Sequence, residues 1–236
     1  DCTAVGYAAL DAATSGNQNT AVGSHAGGGT INGNNITAIG YNALKADAND
    51  DCTAVGKSAL ELCTASGNTA MGSGAGDAVT TGTGLVALGY AALSTSDDGN
   101  YNTAVGYLAM ADGQAVDHNT ALGFEALKNA TNSDNVAIGS EAAQNLSSAR
   151  YGTFVGRHSG GNGTITGDQN TCLGYYSGYA LTSGTHNVII GSQTGAALTD
   201  NQYNIAIGSF ALDAANSGEH NNIAIGYGSL GAETSG

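Results

Sequence analysis

The sequence predicts an all-β chain: a parallel β-solenoid, a β-roll of about fourteen coils with a repeat of 16 to 18 residues. Three observations predict it. First, one word recurs along the whole chain, in the form Asn102-Thr103-Ala104-Val105-Gly106-Tyr107-Leu108-Ala109-Met110. Its register glycines are Gly6, Gly23, Gly40, Gly56, Gly72, Gly89, Gly106, Gly123, Gly139, Gly156, Gly174, Gly191, Gly208 and Gly226, spaced 16 to 18 residues apart. A fixed period of this length marks a repeat architecture. Second, the residue before each glycine is aliphatic in all fourteen repeats: Val5, Val22, Ile39, Val55, Met71, Leu88, Val105, Leu122, Ile138, Val155, Leu173, Ile190, Ile207 and Ile225. Ten are Val or Ile, which favours strand over helix. Third, the segments between the words are rich in Gly, Ser, Thr, Asn and Asp, the residues of turns.

Each repeat is read by its distance from the register glycine. The first word is Cys2-Thr3-Ala4-Val5-Gly6, followed by Tyr7-Ala8-Ala9-Leu10 and a polar connection. One short strand is expected across the aliphatic column, and a second across the Tyr-x-Ala-Leu part. Position −2 is Ala in eleven repeats, with Phe154, Cys172 and Ile189 in the others. Neighbouring side chains of a strand point to opposite faces, so positions −2 and −1 make both faces apolar. One face fills the interior of the coil. The other is expected to be covered by a neighbouring subunit, and the fourteen aliphatic residues are read as the repeat core. Position −3 mixes Thr3, Thr20 and Thr37 with Val86, Val136, Val188, Ile205 and Ile223, a column of one shape.

After the glycine, size is paired. Tyr7, Tyr41, Tyr90, Tyr107, Tyr227 and Phe124 are followed three residues later by Leu or Met, whereas Ser24, Ser73 and Ser192 are followed by Gly27, Gly76 and Gly195. This suggests two corner packings, with Tyr175/Gly178 and Ser209/Leu212 as exceptions. Asn stands at position −4 in nine repeats, including Asn19, Asn68, Asn119 and Asn204. Two readings stay open: a hydrogen-bonded ladder between coils, or a cap for each separate turn. The repeat leaves no segment for another domain, so 1–236 is expected to be a single repeat domain. It starts and stops in phase with the repeat, and is expected to be a slice of a longer fibre or a unit that stacks end to end.

Nineteen acidic residues against five basic ones give a formal charge of −14. Nucleic acid and anionic membranes need a basic face and are not expected as partners. Acidity of this kind keeps a surface soluble. A sharper reading is divalent-cation binding at Asp50-Asp51 or Asp97-Asp98. No apolar run is long enough to cross a membrane, and the first residues do not resemble a signal peptide, which suggests a mature chain or a fragment. Cys2 and Cys52 share a column three coils apart, about 14 Å by strand spacing, which is too far for a disulfide. Cys172 lies in the alanine column and reads as a small buried residue; disulfides between subunits stay open.

The words Asn19 to Gly27, Asn102 to Met110 and Asn119 to Leu127 resemble the NTAVGYxAL repeats of phage tail fibres and related bacterial surface proteins. Asn204-Ile205-Ala206-Ile207-Gly208 and Asn222 to Gly226 are similar to the NxVAIG repeats in the YadA-like head of trimeric autotransporter adhesins. The resemblance covers essentially the whole chain. It implies a parallel β-roll, left-handed in the adhesins, assembled as a homotrimer and serving attachment. The adhesin repeat is nearer 14 residues, and its neck, stalk and anchor are not represented here, nor is the chaperone domain that often ends such phage fibres.

Little in the sequence points to catalysis, and no enzyme, cofactor or metal centre is expected. Gly72-Ser73-Gly74-Ala75-Gly76 has the look of a phosphate loop but lacks the strand, helix and Lys that such loops need. His25, His118, His158, His186 and His220 show no catalytic spacing to Ser or Asp. Asn35, Asn129, Asn145 and Asn162 begin glycosylation acceptor patterns. The expected function is therefore a structural and adhesive fibre segment, on a virion or cell surface, whose variable connections meet a glycan or protein receptor. The alternatives are a self-assembling extracellular filament and an ice-binding solenoid. The last needs an unbroken exposed Thr array, and the Thr column here is interrupted.

Overall fold

A computed structural model describes residues 1–29, 32–47, 50–96, 98–114, 116–161, 163–214 and 220–231. Among them there is no helix, and every strand is parallel to its partner. The chain divides into two compact units, Asp1–His118 and Asn119–Gly236. The first holds β1 (Thr3–Val5), β2 (Thr20–Val22), β3 (Thr37–Ile39), β4 (Thr53–Val55), β5 (Thr69–Met71), β6 (Val86–Leu88) and β7 (Thr103–Val105). The second holds β8 (Thr120–Leu122), β9 (Val136–Ile138), β10 (Thr153–Val155), β11 (Thr171–Leu173), β12 (Val188–Ile190), β13 (Ile205–Ile207) and β14 (Ile223–Ile225).

Within each unit each strand pairs with the next in sequence, and the register matches column to column. Thr3 lies beside Thr20, Ala4 beside Ala21 and Val5 beside Val22; in the second unit Phe154 lies beside Cys172 and Cys172 beside Ile189. The architecture is thus a parallel β-solenoid. Its turn count is lower than fourteen: seven strands close six turns, and the two units together close twelve. The glycine count gives strands, whereas a turn is complete only when the chain returns to pair with the strand before.

The stretch after the register glycine is a turn and not the second strand expected there. Positions +2 and +4 both take left-handed φ in every coil, for example Ala8 (φ 53) and Leu10 (φ 52), His25 (φ 56) and Gly27 (φ 56). A strand needs negative φ throughout. Position −5 is left-handed as well, as in Gln18 (φ 59), Tyr101 (φ 56) and His186 (φ 59). Among the described residues no Val, Ile or Thr occupies a left-handed position, since a branched Cβ makes that conformation the most costly. The turns still carry a ladder. The His25 N–H donates to the Tyr7 carbonyl in the preceding coil (2.8 Å), and the Leu10 N–H donates to Ala26 in the following one (3.1 Å).

The interior belongs to the −2 column. Ala21, Ala38, Ala54, Ala104 and Ala137 are all 0% exposed. It also holds position +4, where Leu44, Leu60, Leu93, Met110 and Leu127 are buried. The expected pairing of sizes between +1 and +4 is therefore a misassignment. Tyr7 and Tyr41 at +1 are exposed and do not share the interior with Leu44 at +4. A large −2 side chain instead requires glycine at +4, although Gly27 and Gly76 also accompany Ala21 and Ala70. The three coils with a large −2 residue have glycine at +4. A Cβ on Gly160 would meet the Phe154 ring at 2.5 Å, one on Gly178 would meet Cys172 Sγ at 2.8 Å, and one on Gly195 would meet Ile189 Cγ2 at 3.1 Å. The Tyr175/Gly178 exception is a direct result of Cys172.

Both readings of the Asn column have a counterpart in the structure. Asn170 Oδ1 accepts from the Asn187 backbone (3.1 Å) and side chain (3.0 Å), and Asn187 Oδ1 accepts in the same way from Asn204 (3.0 and 3.1 Å). This is a ladder between coils. Asn170 Nδ2 also donates to Gly167 in its own turn (2.9 Å) and to Gly184 in the next coil (2.7 Å). These side chains are buried, and the bonds replace the water they have lost.

Candidate functional site

The candidate site is the outward face of the strands. Strand alternation sends position −2 inward, so −3 and −1 point outward. The fourteen residues read as the repeat core, from Val5 to Ile225, lie on this outer face: none is buried, and Met71 and Ile225 are 52% and 65% exposed. The core of a single chain is the −2 column, Ala in most coils, together with position +4. No −3 or −1 position in any strand carries a charge. Within each unit, seven aliphatic side chains thus form one uncharged column beside a column of Thr, Val and Ile. Apolar surface arranged continuously, unlike scattered single residues, marks an interaction face.

The register glycines end each strand in backbone that favours glycine, with φ from 118 for Gly226 to 141 for Gly72. They also allow close stacking. A Cβ on Gly56 would lie 2.4 Å from the Gly72 carbonyl oxygen. The glycine run from Gly72 to Gly76 is accounted for by the same register, with Gly74 and Gly76 at the left-handed +2 and +4 positions.

Flanking the sheet, positions +1 and +2 carry aromatic and charged side chains. Tyr90 stacks on Tyr107 (5.2 Å between centroids), and His25 meets Tyr7 and Tyr41 edge-on. His158 lies 3.3 Å from Glu141 and 4.8 Å from the Tyr176 ring. Tyr176 in turn packs against Tyr175 and Tyr179. A cleft of about 200 Å³ opens where coil five carries only Ser73 and Gly74 between Lys57 and Tyr90. Asp77 lines it. Burial, and after it the Glu61 charge, push its carboxyl above the usual range.

The connections carry a third exposed set at position −5, with Tyr101, Tyr151 and Tyr203 facing solvent. Tyr101 stacks on His118 and Tyr203 on His186. His220 Nδ1 accepts from the Gln202 N–H (3.0 Å). Of the calcium candidates, Asp50 accepts from Asn34 (2.7 Å) and Asp51 from Asn35 (3.0 Å), bonds that stitch neighbouring coils. Asp97 and Asn162 lie outside the described residues. Asn35 is exposed, Asn129 and Asn145 are half-buried, and Asn129 donates to Asn145 (2.8 Å). Among the described residues no three His, Cys, Asp or Glu side chains are grouped to hold a metal, and no helix is long and apolar enough to cross a membrane.

Two features have no counterpart in the sequence reading. One is the control of position +4 by position −2. The other is the juxtaposition of Cys52 and Cys63, which belong to different columns of one coil. No protein family, curated protein or solved structure matches this chain.

Proposed function

We propose that this chain is a structural and adhesive fibre segment whose outward aliphatic columns are covered by further copies of itself in a homotrimer. The observation that carries the reading is the uncharged outer face. In a chain of charge −14, the acidic residues avoid the outward strand positions altogether. A surface kept for water alone has no reason to exclude charge from one face, whereas a buried interface does. The word repeated through the chain, with its likeness to tail-fibre and adhesin repeats, supports the same reading. Attachment would fall to the connections, where Tyr101, Tyr151 and Tyr203 offer apolar rings with a polar edge to a glycan or protein on a cell surface. The place of action would be extracellular, on a virion or a cell.

The test is mass in solution. Light scattering on the wild-type chain should give about 69 kDa, three times 23.1 kDa. Val105→Asp, paired with Val105→Thr as a control, should lower the mass toward a single chain while the β signal in circular dichroism is kept. A monodisperse wild-type monomer would overturn the reading, and open-ended filaments would replace the trimer by a polymer.

A further inference from the structure

Cys52 and Cys63 stand at opposite ends of one excursion of the chain. Cys52 leads into β4. Cys63 follows the turn after it, in the connection that begins to return. Both side chains are fully buried, and both address the same acceptor: the Ala65 carbonyl oxygen lies 3.1 Å from Cys52 Sγ and 3.6 Å from Cys63 Sγ. The shared carbonyl thus brings the two thiols to one place in the interior of the coil. Asn68, from the next coil, donates its side-chain N–H to Cys63 Sγ (3.3 Å) and to the Gly82 carbonyl (2.7 Å). All four cysteines of the chain are free thiols in this structure. Of the other two, Cys172 is alone in the interior and Cys2 is exposed.

We propose that Cys52 and Cys63 form a covalent modification site: an intrachain disulfide made by exchange with a low-molecular-weight disulfide. The asymmetry of the pair assigns the roles. Cys63 Sγ lies beside the Cys52 thiol and accepts a hydrogen bond from Asn68 (3.3 Å), which together hold its proton affinity below that of an ordinary thiol. Cys52 is pushed the other way by the neighbouring Cys63 and by burial, and its thiol keeps its proton as a donor to the Ala65 carbonyl (3.1 Å). The Cys63 thiolate attacks one sulfur of the small disulfide, forming a mixed disulfide and releasing one small thiolate. Cys52 then gives up its proton and attacks the Cys63 sulfur, expelling the second small thiolate. Two protein thiols are oxidised, and one small disulfide is reduced to two thiols. Because Cys63 is buried, the reagent reaches it only when the connection opens locally at Leu62 and Thr64, the exposed residues beside it. The reaction is therefore slower than that of the exposed Cys2, and the bond ties the connection to the strand it follows.

The experiment uses the full chain with Cys2→Ser, which leaves three thiols, treated with oxidised glutathione under native conditions. Intact mass and thiol titration in denaturant should show the loss of two hydrogens and a fall from three thiols to one, reversed by a reductant. Peptide mapping should recover 52 joined to 63. Adding Cys52→Ser should trap glutathione on Cys63, since no second thiol resolves it. Adding Cys63→Ser should leave Cys52 largely unmodified. Three thiols persisting in the Cys2→Ser chain, or a bond that involves Cys172 or a second chain, would overturn the proposal. This outcome is read without either of the added variants.

Discussion

Gly72 and Gly67 are both left-handed glycines, yet they answer to different constraints. At Gly72, φ is 141 and an added Cβ would sit 2.2 Å from the Gly89 carbonyl oxygen, a backbone atom that cannot yield alone. At Gly67, φ is 72 and nothing lies within 4 Å of an added Cβ. Other coils place Gln18, Asn35 or Asp134 at that column. Gly72→Ala should therefore cost about 2–4 kcal/mol in urea unfolding, from backbone strain and coil separation together. Gly67→Asn should stay within about 0.5 kcal/mol of wild type, because Asn accepts the left-handed conformation and chain entropy in the unfolded state falls. Equal losses at the two sites would show that stacking distance is not what fixes the register glycine.

A coil is the element here, and its interior is set by volume rather than by any one residue type. Coil ten puts Phe154 where most coils have Ala, and Gly160 where many have Leu. Phe154→Ala should cost about 3–5 kcal/mol through the cavity it leaves. Gly160→Leu alone should also destabilise, since its Cβ would enter the Phe154 ring. The double variant restores the Ala/Leu pair of Ala54 with Leu60 and should recover most of the loss, a coupling that a thermal-unfolding double-mutant cycle measures. Additive losses would refute the compensation. The strands of such a coil were legible in the sequence, because a β-branched column closed by glycine has one conformational meaning. The turns were not. Leu10, His25 and Tyr176 adopt left-handed φ with no mark of their own; only their columns show it, in the missing Val, Ile and Thr and in glycines such as Gly27, Gly74 and Gly76. The interior pairing was missed for a related reason. Positions +1 and +4 are close in sequence and covary in size, but the turn between them sends one outward and the other inward. Both faces of the strand were legible as apolar, whereas which of them fills the coil was not: the −2 column points inward and the aliphatic column read as the repeat core points outward within one chain.

At the scale of the molecule, each unit is built from contacts that reach one coil forward or one coil back. The Thr37 N–H donates to Cys52, the Gly40 N–H to Val22, and the Asn34 backbone N–H to Asp50, all within the neighbouring turns. Excising Lys57 to Gly72 joins Gly56 to Ser73 and removes one whole coil while keeping every column in phase. Such a chain should fold with the same β signal and unfold cooperatively. Removing only 57–64 should not, because the columns on either side of the cut no longer meet. Soluble, cooperatively unfolding protein from both deletions would contradict strict column register. The glycine-to-glycine contact has a further consequence for descent. Since the register glycines stack in one repeated geometry, recombination between a gene's own repeats that keeps the columns in phase should yield longer or shorter foldable chains in single steps. Length can then vary among descendants more readily than the residues of the word itself.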